Sequence, residues 1–363
     1  MSRAHCILPP NILRSIAERG TEQQRRAALR TLAIDQTFRS MRAASAVVRR
    51  DTPSFPGPGT LVGPPKKNVS VYDADHQQDL PGTLRRAEGA KATGDSAVDQ
   101  AYDGLGSTFR FYLDVFQRNS IDDEGLALLA TVHFGQDYNN AFWNGQQMVF
   151  GDGDGEILHD FTGALDVIGH ELTHGVTEDE AKLQYLGQSG ALNESISDVF
   201  GSLVKQFVAK QTADKADWLV GEGLFTSKVK GVALRSMKAP GTAFDDPVLG
   251  KDPQPDHMSG YVHTLEDNGG VHINSGIPNR AFYLTAVAIG GYAWEKAGHI
   301  WYETLRDPGL KPSTQFRRFA SLTIANAGRL FGQGGAAQVA VAKAWTTVGI
   351  TLAVPEGQHA GAV

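Results

Sequence analysis

Apolar positions along the 363-residue chain change their spacing twice. Near the start, Ile12, Leu13 and Ile16, then Leu29, Leu32 and Ala33, recur three and four residues apart, which predicts helix over residues 11–42. Pro53, Pro56, Pro58, Pro64 and Pro65, with glycines between them, then predict an extended linker. From Val69 to Phe150 the apolar runs shorten. Stretches such as Val69-Ser70-Val71-Tyr72 and Gln147–Phe150, punctuated by Gly, Asp and Asn, predict strands. One helix interrupts them at about Ser107–Asn119, with Phe109, Tyr112, Leu113 and Phe116 on one face. From Thr162 onward helical spacing dominates, predicting helices at 162–180, 190–210 and 276–296 and two more beyond Ser313. The expected class is α+β. Its parts are a head at 1–50, a linker or the start of the body at 51–68, a β-rich lobe at 69–182 and a helical lobe at 183–363.

Composition narrows the alternatives. Apolar residues make up 41% and charged residues 20%, values of a globular chain rather than a disordered one. The most apolar stretch, Tyr283–Trp294, is interrupted by Gly290 and Gly291 and falls short of the ~18 residues of a membrane span. Cys6 is the single cysteine, so no intrachain disulfide can form. Charge is divided unevenly: ten arginines against Glu18, Glu22 and Asp35 give residues 1–50 a net +7, and the total of −6 leaves −13 for the rest. A basic head on an acidic body suits a segment that docks on its own chain. Nucleic-acid binding lacks support, because Phe38 is the head's only aromatic and no base-reading module accompanies the arginines. Residues 1–16 hold no apolar core of a signal peptide, and Pro9-Pro10 stands where one would be.

Candidate chemistry begins in the 162–180 helix. His170-Glu171-Leu172-Thr173-His174 places two imidazoles four residues apart, on one helical face, where both can ligate one Zn²⁺. Glu171, beside them, is placed to take a proton from an attacking water. Glu194 follows twenty residues after His174 within Asn193-Glu194-Ser195-Ile196-Ser197-Asp198, and supplies a third ligand of the kind catalytic zinc uses. Asp198 and Asn193 are the residues expected to orient the two histidines.

These motifs resemble those of the thermolysin-like zinc endopeptidases. The likeness extends through Asn139–Gly145, Gly151-Asp152-Gly153-Asp154-Gly155, Leu234-Arg235-Ser236-Met237 and Asp267–Gly276, so it covers roughly Val69 to Ile350. A short head with Pro9-Pro10 near its start resembles the protealysin branch in precursor form. The resemblance implies a two-lobed zincin with its cleft between the lobes and the zinc-binding helix at its floor. It implies one catalytic Zn²⁺, His272 and Tyr185 as donors to the developing oxyanion, and Asp267 fixing the His272 tautomer. Arg235 would bind a substrate carbonyl, while Asn140 and the Ala141 carbonyl would align the substrate as an added strand beside Trp143. Leu158, Phe161, Val167 and Leu234 would line an apolar pocket for the residue after the scissile bond. The partners implied are protein and peptide substrates and the chain's own head as inhibitor, in a monomer, with neither nucleic acid nor membrane; the sequence leaves room for a dedicated protein inhibitor. Secretion without a signal peptide is the expected route, with the cytoplasm as the alternative.

Two features depart from the family or sharpen it. The family's paired calcium site would fall on Asp166, Asp217 and Glu222, but two of its expected carboxylates read Lys205 and Leu219. Ca²⁺ takes six to eight oxygens and an ammonium offers none, so at most one Ca²⁺ is expected and the ammonium can stand in for an ion. In the head, Pro9, Pro10, Ile12 and Leu13 are expected in or beside the cleft, Cys6 is a weaker candidate for the zinc itself, and removal of the head is expected near 43–51. A peptide-binding protein that has kept the cleft without the chemistry is the competing reading; intact Glu171, His272 and Tyr185 argue against it.

Overall fold

The computed structural model describes residues 5–48 and 65–352. The head opens with a two-residue strand, β1 (His5–Cys6), followed by helices α1 (Pro10–Arg19) and α2 (Glu22–Val48). The continuous helix expected over 11–42 is therefore broken. Thr21 and Gln24 form a capping box: the Thr21 N–H donates to Gln24 Oε1 (2.9 Å) and the Gln24 N–H to Thr21 Oγ1 (3.4 Å), which starts a new helix. Pro10 stands at the first position of α1, where its missing N–H costs nothing, and Ile12, Leu13 and Ile16 are buried.

The β-rich lobe contains β2 (Val69–Asp73), β3 (Thr83–Arg86), α3 (Ser96–Phe116), β4 (Leu128–Val132), β5 (Ala141–Trp143) and β6 (Met148–Phe150). With β1 they form a six-stranded sheet in the order β1-β5-β6-β4-β2-β3. The β2–β4 and β4–β6 pairs are parallel, and the others antiparallel. The head thus supplies the outermost strand of the body's sheet beside β5. α3 begins eleven residues before its expected start because Asp95 caps it, accepting from the Ala97 and Val98 N–H groups.

After a short 3₁₀ turn at Phe161–Gly163 come α4 (Leu165–Glu180) and α5 (Gly187–Ala209). Two small antiparallel pairs follow, β7 (Leu219–Val220) with β8 (Arg235–Ser236) and β9 (Asp245–Asp246) with β10 (Gly250–Lys251). The helical lobe closes with α6 (Asp267–Asn274), α7 (Gly276–Ile289), α8 (His299–Leu305), α9 (Phe316–Phe331) and α10 (Ala336–Thr347). α7 stops short of the expected 296 because Gly290 and Gly291 turn the chain with φ of 76° and 70°, and one π-helical turn, Trp294–Gly298, precedes α8. The body's apolar core runs through both lobes and includes Ile7, Leu8, Ile12, Leu13 and Ile16 of the head.

α4 and α5 pack backbone to backbone. A methyl group on Gly169 would lie 3.0 Å from the Gly201 Cα, and one on Gly201 would lie 2.9 Å from the His170 nitrogen and closer still to the Asp166 carbonyl oxygen. Only glycines allow this approach, and it brings Asn193, Glu194 and Asp198 up to the histidines of α4.

Candidate metal centre and cleft

Across that narrow helix pair, His170 Nε2 and His174 Nε2 face each other at 3.1 Å, and the Glu194 carboxylate lies 3.5 Å from each. All three side chains are buried. Their opposite ends are fixed. His170 Nδ1 lies 2.8 Å from Asp198 Oδ1, and His174 Nδ1 lies 2.7 Å from Asn193 Oδ1 and 3.0 Å from Ser197 Oγ. With both Nδ1 positions donating to oxygen acceptors, the two Nε2 lone pairs point at one another. Glu194 Oε2 is buried and takes no hydrogen bond. Facing lone pairs beside an unmatched carboxylate oxygen are destabilising without a cation, and two imidazoles with one carboxylate match the ligand set of a catalytic zinc. Among the described residues, this is the group of His, Cys, Asp and Glu side chains whose ligand atoms converge, all within 4.8 Å. Cys6 is not part of it.

The surrounding residues form one connected network. Asp198 accepts from Arg235 Nε (2.9 Å), Arg235 Nη2 (2.8 Å) and Asn279 Nδ2 (2.8 Å) as well as from His170. Burial would raise its pKa, but the Arg235 guanidinium and His170 hold the carboxyl well below the usual range. Asp267 accepts from His272 twice, at Nδ1 (2.6 Å) and at the backbone N–H (2.9 Å). Burial lowers the His272 pKa, yet the carboxylates of Asp267 and Glu194 outweigh it and the imidazole's pKa is raised. Tyr185 lies with its hydroxyl 3.2 Å from His272 Nε2 and donates to Glu194 Oε1. Burial, then the charges of Glu194 and Asp267, push its pKa well up and keep it a neutral donor. Glu171 Oε2 accepts the Trp143 N–H at 3.0 Å, which ties the carboxylate to β5.

The cleft beside these groups is filled by the head. The Ile7 N–H donates to the Ala141 carbonyl (3.2 Å), and Arg235 Nη1 donates to the Ile7 carbonyl (3.0 Å). Asn140 clasps the next residue, accepting the Leu8 N–H at Oδ1 (3.0 Å) and donating from Nδ2 to the Leu8 carbonyl (3.3 Å). The Cys6 carbonyl oxygen lies 3.1 Å from His272 Nε2. Leu158, Phe161, Val167 and Leu234 are buried in the same apolar cluster as Ile7. Of the four head residues expected in or beside the cleft, Pro9 precedes α1 and Pro10 starts it. Pro9 and Ile12 line one pocket with Leu234, Arg235 and His272, and Ile12 and Leu13 are buried in the apolar core. The segment inside the cleft is Cys6–Leu8, whose apolar run before Pro9-Pro10 was the available signal for a strand that completes a sheet edge.

Other residues escaped the sequence reading. Asp35 of α2, itself buried, accepts from Tyr138 Oη (2.6 Å) and Asn140 Nδ2 (2.9 Å), and Thr31 Oγ1 accepts the Asn139 N–H (3.0 Å). Ser197, inside the Asn193–Asp198 motif but given no role there, and Asn279, which no motif announces, also join the network. At the candidate calcium position, Lys205 Nζ lies 2.8 Å from Asp217, 3.2 Å from Glu222 and 3.5 Å from Asp166. Burial lowers the lysine pKa, but these carboxylates reverse the effect and hold it protonated. The expected head-removal stretch, 43–51, runs from the last turn of α2 into residues outside the described ones.

The chain matches two family descriptions, "Thermolysin metallopeptidase, catalytic domain" over residues 60–178 and "Thermolysin metallopeptidase, alpha-helical domain" over residues 181–350. It is 55% identical over 352 residues to an extracellular metalloprotease of Pectobacterium carotovorum subsp. carotovorum, covering 97% of this chain and 98% of that one. It is 39% identical over 292 residues to a thermolysin of Alicyclobacillus acidocaldarius subsp. acidocaldarius, covering 78% of this chain and 51% of that one. Among solved structures, the precursor of protealysin, a metalloproteinase from Serratia proteamaculans, aligns with a TM-score of 0.86 and 53% identity over 96% of this chain and 100% of that one. The α+β architecture with a helical second lobe agrees with these relatives, and the chain therefore belongs to the thermolysin metallopeptidase family as a protealysin-like zinc metalloendopeptidase in precursor form.

Proposed function

We propose that this enzyme cuts internal peptide bonds of proteins on the amino side of bulky apolar residues, and that residues 1–50 keep it silent as a zymogen. The observation that carries the reading is the set of hydrogen bonds made to Cys6–Leu8 by His272, Ala141, Arg235 and Asn140 beside the His170–His174–Glu194 group. A peptide backbone already lies where a substrate backbone would. Zinc held by those three ligands supplies Lewis acidity, polarising a carbonyl and lowering the pKa of water.

The chain's own residues do the rest. Glu171, held by the Trp143 N–H, takes the proton of the attacking water and passes it to the leaving nitrogen. His272 and Tyr185 donate to the oxygen on which charge develops, and Asp267 keeps the imidazole turned toward it. Asp198 orients His170 and Arg235 together, and Asn193 orients His174. Leu158, Phe161, Val167 and Leu234 favour an apolar side chain by about 1–3 kcal/mol per well-fitted group. At the former calcium position, the Lys205 ammonium stands in for a divalent ion among Asp166, Asp217 and Glu222.

Secretion fits the Pectobacterium relative, which is named an extracellular metalloprotease, and no helix of the described residues is long and apolar enough to cross a membrane. A Glu171→Gln variant tests the central claim. It is expected to bind zinc with unchanged stoichiometry while peptide hydrolysis, assayed after the head is opened by a foreign protease, falls by about a thousandfold. Activity within a few-fold of the parent would refute the assignment of the base.

A further inference from the structure

The head does more than obstruct the cleft, because its backbone runs in a definite direction and register. Antiparallel pairing sets Cys6 opposite Phe142 and His5 opposite Trp143. Three consecutive residues are then held by different groups. The Cys6 carbonyl meets His272, the Ile7 N–H and carbonyl meet Ala141 and Arg235, and both polar groups of Leu8 meet Asn140. His272 Nε2 is also 3.2 Å from the Tyr185 hydroxyl and 3.5 Å from the Glu194 carboxylate, so the Cys6 carbonyl is held by the donor that borders both Tyr185 and the metal group. The strand that holds Ile7 also carries the Trp143 N–H bound to Glu171. The amide joining Cys6 to Ile7 therefore lies between the oxyanion donors on one side and the backbone clamps on the other.

We propose that the head is bound as a substrate, with the Cys6–Ile7 bond at the point of attack, and that the enzyme cuts its own head there. This rests on the proposed function and extends it to a specific bond. Water adds across that amide: the hydroxyl goes to the Cys6 carbonyl carbon, the C–N bond breaks, and a proton carried by Glu171 goes to the Ile7 nitrogen. The groups gripping the head beyond this bond are Arg235 on Ile7, Asn140 on Leu8 and the buried faces of α1 and α2. Loss of Met1–Cys6 accordingly leaves the blocking segment in place.

The test is an intact-mass and N-terminal time course of the full-length zinc-loaded chain at neutral pH. A species beginning at Ile7 is expected, and it should be absent from Glu171→Gln. A synthetic peptide spanning Arg3–Leu13, offered to enzyme whose head has been removed, should be cut between Cys6 and Ile7, and about tenfold more slowly when Ile7 is replaced by Asp. A readout independent of turnover is amide exchange in the metal-free protein. The Ile7 and Leu8 amides should exchange at least about a hundredfold more slowly than in that free peptide. If the opened enzyme hydrolyses an unrelated peptide while the Cys6–Ile7 bond survives both in the head and in the peptide, the inference fails and the peptidase reading stands. If the zinc-loaded protein hydrolyses nothing, the peptidase reading itself fails. Unprotected Ile7 and Leu8 amides would overturn the register.

Discussion

A close backbone approach between α4 and α5 sits under the metal group, and Gly201→Ala probes it. An added methyl would lie 2.9 Å from the His170 nitrogen and nearer still to the Asp166 carbonyl oxygen, whereas relaxed contacts of this kind are about 3.5 Å. Backbone of α4 cannot rotate away as a side-chain tip could, so α4 and α5 must separate by at least about half an ångström. Overpacking of a buried site costs about 1–3 kcal/mol, and rigid backbone on the opposing side places this site at the upper end. The same displacement moves Glu194, on α5, away from His170 and His174, on α4, and zinc ligands tolerate only about 0.2 Å. The expected result is a fall in thermal midpoint by several degrees and a loss of zinc affinity of at least about tenfold, read by competition with a chromophoric chelator. Ser202→Ala is the control, since its hydroxyl bonds only Gln206 within the same helix, and it should leave zinc affinity unchanged. A Gly201→Ala protein with the parent's midpoint and affinity would show that the helix spacing does not set the ligand geometry.

Two further perturbations address charge. Lys205→Glu removes the ammonium from Asp166, Asp217 and Glu222 and adds a fourth carboxylate; the metal-free variant should lose about 3 kcal/mol and regain it with millimolar Ca²⁺, while the parent's midpoint ignores calcium. A parent stabilised by calcium as strongly as the variant would contradict the stand-in role of the lysine. His133 is held by Asp152 at Nδ1 (2.9 Å) and Asp95 at Nε2 (3.2 Å), and these carboxylates, Asp152 foremost, raise its pKa from 6.5 to about 9 against the opposing effect of burial. A raised folded pKa gives stability that is fully present below pH 6.5 and is lost as pH rises through 9, worth about 2–3 kcal/mol after solvent screening. Chemical denaturation of His133→Gln across that window should show this slope flattened, and an unchanged slope would assign it elsewhere.

How much of this was readable in the chain depends on whether the signal was local. The metal group was legible because its parts are periodic: His170 and His174 share a helical face, and Glu194 and Asp198 share the next. Helix starts were less legible. Asp95 and the Thr21–Gln24 box set the beginnings of α3 and α2, but capping is decided by single residues that a search for apolar spacing passes over. Tertiary partners outside the quoted motifs were not legible. Asn279 reaches Asp198 across 81 positions and Asp35 reaches Asn140 across 105, and nothing local marks either residue. The strand contact of Cys6–Leu8, just ahead of the Pro9–Leu13 stretch expected in or beside the cleft, carried little local signal of its own, because β1 is only two residues long and exists because β5 offers it an edge.

The uneven charge of the sequence predicted docking, and among the described residues apolar burial and strand pairing hold the head more than ion pairs do. Among the described residues, Arg14–Glu266 (2.7 Å) and Arg30–Asp137 (3.4 Å) are the ion pairs between head and body, and all four side chains are about half exposed or more. Pairs of this kind contribute about 0–1 kcal/mol each and weaken with salt. Ile7, Leu8, Ile12, Leu13 and Ile16 are by contrast fully or almost fully buried, and each such side chain is worth about 1.5–3 kcal/mol before ordering entropy. The cleft also satisfies the backbone of Cys6–Leu8 with the donors and acceptors that any bound peptide would need. Long-range attraction of a +7 segment to a −13 body therefore governs how fast the head finds the cleft, while apolar burial and strand pairing govern how long it stays. Under the proposed function, a substrate entering the opened enzyme would meet the second set of interactions without the first: Ala141 and Arg235 contact the backbone of the head, and Asn140 contacts both the Leu8 backbone and the Asp35 carboxylate.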